Sequence, residues 1–215
     1  MKNTCLGLVL MALMSGCGVE ENAQVQIEKK LEADEQPIFG DTCDYFNPLT
    51  VVEDVDLEKY LGTWYELGTT TIVRNTFERN CTCTQANYKL LSDGSGVAVR
   101  NTCRVGDGTR DTIDGTAKFT DREAVLGVGF PYGDENSGNY YIMKILSNDE
   151  GEYQMALVGE PCRLFMWVLS RSRTLDTPEE KAMYDEMLDF AAKQGYRLNS
   201  WWVNYQETAQ DVCGE

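Results

Sequence analysis

The amino-acid sequence predicts an all-β fold: an eight-stranded antiparallel up-and-down barrel with one C-terminal helix packed outside and a short final strand. Short β-rich segments follow one another without an internal repeat, and glycine, asparagine, aspartate and proline separate them. The predicted strands are residues 63–72, 84–91, 96–104, 112–120, 124–130, 139–146, 153–159 and 164–171. Strands joined by hairpins form a meander, and a meander of this size most easily removes its edges by closing into a barrel. A two-sheet sandwich is the main alternative, but a single late helix fits it less well.

One helix is predicted after the eighth strand. Thr177 suits the N-cap, Pro178 suits the first helical position, and Glu180 completes a capping box. Gly195 is expected to end the helix. An apolar stripe runs along it, formed by Met183, Met187, Phe190 and Ala191. We expect this stripe to pack on the outer wall of the barrel, followed by a short last strand at residues 200–205, which contain two adjacent tryptophans.

The first and the last barrel strands carry side chains that are expected to pack against each other. Gly62 lets the backbone pass close to another segment, and Trp64 supplies a large rigid group for a core. In strand alternation, Trp167, Leu169 and Arg171 share one face. The Arg171 guanidinium is therefore predicted to lie across the indole of Trp64.

These two strands resemble those of the lipocalins. Residues 83–88, Cys-Thr-Gln-Ala-Asn-Tyr, look like the second strand of apolipoprotein D, and residues 153–171 are similar to the bacterial outer-membrane lipocalins. The resemblance extends over residues 43–213 and implies the same barrel. One departure is that Glu150 stands three residues before Tyr153, where the family has an aspartate.

Composition restricts the kinds of function. The chain has 215 residues, of which 42% are hydrophobic, enough for one domain with a sizeable core. Its net charge of −16 and the lack of a basic cluster argue against a nucleic acid as partner. It contains no histidine, which removes Ser-His-Asp and Cys-His catalysis and most zinc and haem sites. Any enzyme of this composition would have to work with carboxylates, thiols, tyrosines or lysines. We expect no cofactor, no bound metal and no catalytic residues, and composition does not specify the oligomeric state.

The N-terminus is typical of a bacterial lipoprotein signal peptide, predicted at residues 1–16. Lys2 precedes an apolar run that is too short to span a bilayer as a mature helix. That run ends in Leu-Met-Ser-Gly-Cys at residues 13–17, which resembles a lipobox and predicts lipidation of Cys17. An ordinary secretory signal with an incidental cysteine is the alternative. Because Gly18 follows the cysteine, the resemblance to Gram-negative lipoproteins implies an outer-membrane location, lipid-anchored and exposed to the periplasm.

Residues 17–42 are predicted to form a flexible, lipid-anchored tether. The run over residues 20–36 is charged and rich in glutamine, with few branched apolar residues. The barrel domain is predicted to span residues 43–215, and the tether would hold it near the membrane surface without inserting it.

The cysteines of the barrel domain predict disulfides and an oxidising compartment. They are Cys43, Cys81, Cys83, Cys103, Cys162 and Cys213. Six cysteines allow many connectivities, and the sequence alone does not choose among them. The resemblance to apolipoprotein D implies bonds between Cys43 and Cys162 and between Cys83 and Cys213. Under that pattern Cys81 and Cys103 would bridge the second and third strands. A metal site at Cys81-x-Cys83 is the alternative, which the lack of histidine disfavours.

The interior of an eight-stranded barrel is large enough for one small ligand. Four side chains are expected to line it: Tyr88, Trp167, Tyr141 and Met143. Trp167 lies on the same strand face as Arg171 and is therefore expected to point inward. Tyr141 and Met143 are chosen on the assumption that Lys144, on the opposite face of their strand, points to water. Alternatively, all four fill the core. The resemblance implies a fatty acid or lysophospholipid as ligand and a role in membrane lipid handling or envelope maintenance. Two other functions remain open. In these, the protein is either a lipocalin-type enzyme that acts on a lipid-like substrate or a structural lipoprotein without a ligand.

Overall fold

The fold is taken from a computed structural model, which describes residues 48–130, 138–201 and 203–213. The strands in these ranges are β1 (Gly62–Thr70), β2 (Thr82–Leu90), β3 (Gly96–Arg104), β4 (Arg110–Phe119), β5 (Val125–Gly129), β6 (Tyr140–Ser147), β7 (Tyr153–Gly159), β8 (Met166–Ser170) and β9 (Tyr205–Glu207). The helices are α1 (Leu57–Tyr60), α2 (Thr71–Thr76) and α3 (Pro178–Lys193). Residues 71 and 72, predicted to lie in the first strand, belong instead to α2.

The sheet closes on itself through β1. Its strands follow the order β2-β3-β4-β5-β6-β7-β8-β1, and β1 also pairs with β2. At the start of β1, Gly62 stands opposite Tyr88 of β2, and near its end Thr69 stands opposite Trp167 of β8. Consecutive strands are antiparallel. The predicted eight-stranded up-and-down barrel is therefore confirmed, and the sandwich alternative is wrong.

Helix α1 covers one end of the barrel, which we call the closed end. The Asp56 side chain caps the helix by accepting a hydrogen bond from the amide of Lys59. Tyr60 at its end is buried, and Leu57 packs against an apolar cluster that includes Val97 and Val99 of β3. We call the opposite end, where β1 leads into α2, the mouth.

The C-terminal segment occupies the half of β1 that β2 leaves unpaired. Strand β9 pairs with β1 at residues 68–70. Further along, the Thr208 amide donates to the Leu67 carbonyl, and the Cys83 amide donates to the Ala209 carbonyl. The tail therefore connects β1 to β2 where these two strands diverge.

The final strand lies later in the chain than the sequence predicts. Residues 200–205 were expected to form it, but the strand is Tyr205–Glu207. Before this strand, Asn199 and Asn204 form an isolated bridge. The physical reason is local: the Ser200 hydroxyl bonds to the backbone of Val203, which favours a turn over an extended strand.

Helix α3 packs on the outside of the barrel, as predicted. It begins with the predicted capping box, in which Thr177 and Glu180 each bond to the other's backbone amide. Its buried residues Tyr184, Met187 and Ala191 lie in one apolar cluster with side chains of β6, β7 and β8. None of the helices in the described ranges is both long and apolar enough to cross a bilayer.

Candidate ligand-binding lumen

Three tyrosines identify the inner face of the barrel. Tyr88 lies on β2 and Tyr140 on β6, two strands that are not neighbours in the sheet. Their hydroxyl oxygens are nevertheless 3.1 Å apart, and the Tyr140 hydroxyl is 2.9 Å from that of Tyr60. Side chains from non-neighbouring strands of a closed sheet meet across its interior. The face that carries Tyr88 and Tyr140 is therefore the lumen.

The strand registers extend this inner face around the wall. Residues directly opposite each other in neighbouring strands point to the same side of the sheet. Several inner-face side chains are only partly buried: Tyr88, Asn101, Val128, Tyr140 and Trp167. Side chains that filled a solid barrel would lose all their accessible surface. Their partial exposure indicates that the lumen contains space beside them.

The floor of the lumen is held together by Arg171 at the closed end. The guanidinium carbon lies 3.7 Å from the centre of the Trp64 ring. One guanidinium nitrogen donates to the Thr63 carbonyl at 2.6 Å, and another donates to the carbonyls of Lys59 at 2.6 Å and Leu61 at 2.8 Å. Burial lowers the pKa of Arg171 below its ordinary value. This one side chain thus ties β8 to the start of β1 and to α1.

Gly62 and Trp64 take the positions that the floor requires. Gly62 has a φ of 91°, a left-handed conformation that other residues adopt only with strain. The Trp64 side chain is fully buried, and its indole nitrogen donates to the Tyr60 carbonyl at 2.8 Å. The G-x-W sequence therefore supplies both the backbone turn and the aromatic surface on which Arg171 lies.

The tyrosine hydroxyls at the floor are neutral hydrogen-bond donors at physiological pH. Burial raises the pKa of Tyr88 to about 12 and the pKa values of Tyr60 and Tyr140 well above their ordinary value. The Arg171 charge lowers the pKa of Tyr60 and Tyr88 without offsetting the effect of burial.

Trp167 connects the lumen to the mouth. Its indole nitrogen donates to a carboxylate oxygen of Glu78, just beyond α2, at 3.1 Å. Its ring centre lies 6.5 Å from that of Phe165, which lies 5.5 Å from that of Phe77. Phe77 is 71% exposed. A line of aromatic rings therefore leads from the surface into the barrel.

The mouth also contains a cluster of buried charged groups. Glu66 points inward opposite Leu169 and is almost fully buried. Arg74 donates to Glu66 at 2.9 Å and lies 3.5 Å from a Glu78 oxygen, and the Thr208 hydroxyl also bonds to Glu66. Burial, followed by the charge of Glu66, raises the pKa of Glu78 well above its usual range. Two carboxyl groups thus share the Arg74 guanidinium.

Tyr141 and Met143 do not line the lumen, which corrects the prediction made from the sequence. Both belong to the apolar cluster that contains Tyr184 and Met187 of α3. The two side chains therefore face the helix on the outer wall. Of the four predicted lining residues, the structure places Tyr88 and Trp167 on the inner face.

A bulge in β6 explains this difference. The register with β7 shifts between Ile142 and Lys144, so that Met143 is an extra residue in the strand. Lys144 does point outward, where its amino group lies 2.8 Å from a carboxylate oxygen of Glu186. Strict alternation counted back from Lys144, however, places Met143 and Tyr141 on the inner face, which the bulge makes incorrect. Tyr140, which the prediction left out, therefore occupies the inner position.

Disulfides connect the start of β2 to the neighbouring strand β3 and to the C-terminal tail. Cys81 is bonded to Cys103, and Cys83 is bonded to Cys213. Cys162 is also disulfide-bonded, whereas its predicted partner Cys43 and the predicted lipidation site Cys17 lie outside the described residues. Both cysteines of the C-x-C sequence are thus in disulfides, which argues against the metal alternative.

Comparison with known proteins identifies the family. Residues 55–206 match the sequence profile described as a lipocalin-like domain, and this range is well over half of the chain. The chain belongs to the lipocalin family. The matched range runs from the residues just before α1 to within β9, so it includes both ends of the lumen.

Relatives of this lipocalin come from plants, bacteria and mammals. Temperature-induced lipocalin-1 of Arabidopsis thaliana is 30% identical over 160 residues, covering 70% of this chain and 79% of the relative. Outer membrane lipoprotein Blc of Escherichia coli (strain K12) is 31% identical over 160 residues, covering 72% of this chain and 82% of the relative. Apolipoprotein D of Cavia porcellus is 35% identical over 162 residues, covering 71% of this chain and 77% of the relative. These matches agree with the resemblance drawn from the first and last strands.

Proposed function

We propose that this lipocalin is a membrane-anchored carrier that binds one small hydrophobic ligand, a fatty acid or lysophospholipid-like molecule, for lipid handling or envelope maintenance. The observation that carries this proposal is the partial exposure of Tyr88, Tyr140 and Trp167 inside a closed sheet. A wall of aromatic and aliphatic side chains with few polar groups suits an acyl chain.

The test is a titration of the delipidated protein with fatty acids and lysophospholipids of graded chain length. Each methylene that enters the lumen should add about 0.8 kcal/mol, so affinity should rise with chain length until the lumen is full. Replacing Trp167 with alanine should weaken binding by roughly 1–3 kcal/mol, because its apolar area contacts the chain. Trp201→Ala is the matched control, since that side chain is 96% exposed, and its affinity should equal that of the wild type. If the affinity does not depend on chain length, or if Trp167→Ala does not change it, a ligand-free structural role is favoured instead.

The membrane anchor is a second part of the proposal. Its support is the Leu-Met-Ser-Gly-Cys sequence ending at Cys17 and the name of the E. coli relative, an outer membrane lipoprotein. We infer a signal peptide over residues 1–16, a tether over residues 17–42 and a barrel domain facing the periplasm. Replacing Cys17 with serine should release the protein from the membrane fraction and abolish metabolic labelling with palmitate. A wild-type protein that takes up no palmitate and washes off the membrane would contradict the anchor.

The state of the cysteines supports a carrier over a thiol enzyme. Every cysteine in the described ranges is disulfide-bonded: Cys81, Cys83, Cys103, Cys162 and Cys213. A nucleophilic cysteine must be a free thiolate. Titration of the denatured, unreduced barrel domain with a thiol reagent should therefore find no reactive thiol, and a reactive thiol would revive the enzyme hypothesis.

A further inference from the structure

The lumen tyrosines carry more hydroxyl protons than their hydrogen bonds use. Tyr60, Tyr140 and Tyr88 form a chain of two hydrogen bonds, 2.9 and 3.1 Å long. Each of the three hydroxyls carries one proton, and each bond between them uses one. One proton is therefore left without an acceptor among the described residues, whichever way the bonds are directed. A hydroxyl proton that faces an apolar lumen without an acceptor is unfavourable.

The remaining proton is available at Tyr88 or Tyr140. Tyr60 is 3% exposed, and its ring lies between those of Trp64 and Tyr88, with centres 5.3 and 5.8 Å away. Its hydroxyl therefore has little room for a further acceptor. Tyr88 and Tyr140 retain accessible surface on the lumen. Their raised pKa values keep both hydroxyls protonated at neutral pH.

The two ends of the lumen differ in electrostatic character. Near the floor, the charge of Arg171 is close enough to lower the pKa of Tyr60 and Tyr88. At the mouth, the carboxyl groups of Glu66 and Glu78 share Arg74. The charge of Arg74 is offset by the carboxylate of Glu66, whereas Arg171 donates to neutral carbonyl groups. A ligand oxygen with negative partial charge is therefore stabilised at the floor relative to the mouth.

We propose that the hydroxyl with the unused proton, that of Tyr88 or Tyr140, donates a hydrogen bond to a carbonyl oxygen at the leading end of the ligand. An apolar chain that ends in a ketone or an ester group enters with that group first and leaves its apolar end at the mouth. This inference rests on the proposed carrier function and adds to it a class of ligand and an orientation.

The experiment compares a long-chain methyl ketone and the matching methyl ester with the alkane of the same length, each delivered from cyclodextrin. Affinities are measured by displacement of a fluorescent fatty acid from the delipidated protein. Because one net hydrogen bond is gained, both carbonyl compounds should bind the wild type about three- to tenfold more tightly than the alkane. In the double variant Tyr88→Phe/Tyr140→Phe this preference should fall to about onefold, since phenylalanine keeps the ring and removes the donor.

Tyr184→Phe is the matched control, because it removes a hydroxyl that bonds to Tyr205 on the outer wall. It should keep the wild-type preference, and near-ultraviolet circular dichroism checks that each variant is folded. Equal affinities for carbonyl compounds and alkane in the wild type, or a preference that survives in the double variant, would overturn the proposal while leaving the carrier function in place. If the fluorescent fatty acid itself does not bind the delipidated protein, the carrier function fails, and the proposal with it; if it binds but none of the compounds displaces it, the proposal alone is overturned.

Discussion

Replacing Arg171 with alanine is expected to lower the free energy of unfolding by about 3 kcal/mol, one of the largest losses we expect from a single substitution. The side chain makes charge-assisted hydrogen bonds to the carbonyls of Thr63, Lys59 and Leu61 and lies 3.7 Å above the Trp64 ring. Its removal leaves three carbonyl groups at the closed end without these donors. Because Arg171 is partly exposed, water replaces some of the lost bonds, which limits the effect. Urea unfolding followed by tryptophan fluorescence measures the change.

Arg173→Ala provides the matched control for this prediction. Arg173 lies over the Tyr65 ring at 4.4 Å, but its hydrogen bonds to Gln210 and Gln85 are long, at 3.5 and 3.4 Å. Its loss should therefore cost about 1 kcal/mol or less. Equal stabilities for the two variants would contradict the role given to Arg171 at the closed end.

Removal of the bond between Cys83 and Cys213 should destabilise the protein by about 4–5 kcal/mol. The two cysteines are 130 residues apart, so the bond restricts a long loop of the unfolded chain. The double variant Cys83→Ser/Cys213→Ser avoids leaving an unpaired thiol. Its free energy of unfolding, measured in urea without reductant, should show the loss.

The bond between Cys81 and Cys103 provides the comparison. These cysteines are 22 residues apart, and Cys81→Ser/Cys103→Ser should cost about 3 kcal/mol because the restricted loop is shorter. Both double variants replace two cysteines by serines near the mouth. The loop-length account fails if the shorter loop shows the larger loss.

The elements that local rules determine were predictable from the sequence. The capping box at Thr177 and Glu180 depends on residues three positions apart, and the outer position of α3 follows from its apolar stripe. The alternation from Trp167 to Arg171 was reliable because β8 pairs with β7 in an unbroken register. The floor, with Arg171 across Trp64, follows from these two strands.

The face of β6 was not predictable, because a bulge leaves no clear mark in the sequence. Tyr140 and Tyr141 are adjacent residues of the same type, and only the register shift beyond Ile142 decides which one points inward. The adjacency itself was the available signal, since one of two neighbouring tyrosines in a barrel strand must face the lumen. Residue type alone does not choose between them.

The charged cluster at the mouth was missed for a different reason. Glu66, Arg74 and Thr208 are brought together by a bend into α2 and by the tail, elements far apart in the chain. Glu66 shares the alternation of Trp64, but a charged residue between apolar ones usually indicates the solvent face of a strand. Its burial follows only from the arginine and the tail that cover it.

Heavy-atom quenching tests ligand carriage most directly, because it reports contact between the ligand and a residue of the lumen. A fatty acid brominated along its chain is added to the delipidated protein, and the unbrominated acid of the same length is the reference. Bromine quenches an indole only at close range, so the brominated acid should lower the emission of Trp167 and saturate at one ligand per protein. In Trp167→Phe, which keeps an aromatic ring at the inner face, most of this quenching should disappear while the acid still binds. No quenching by a bound acid would mean that the ligand lies outside the barrel, and equal quenching in the wild type and in Trp167→Phe would contradict contact between the ligand and Trp167.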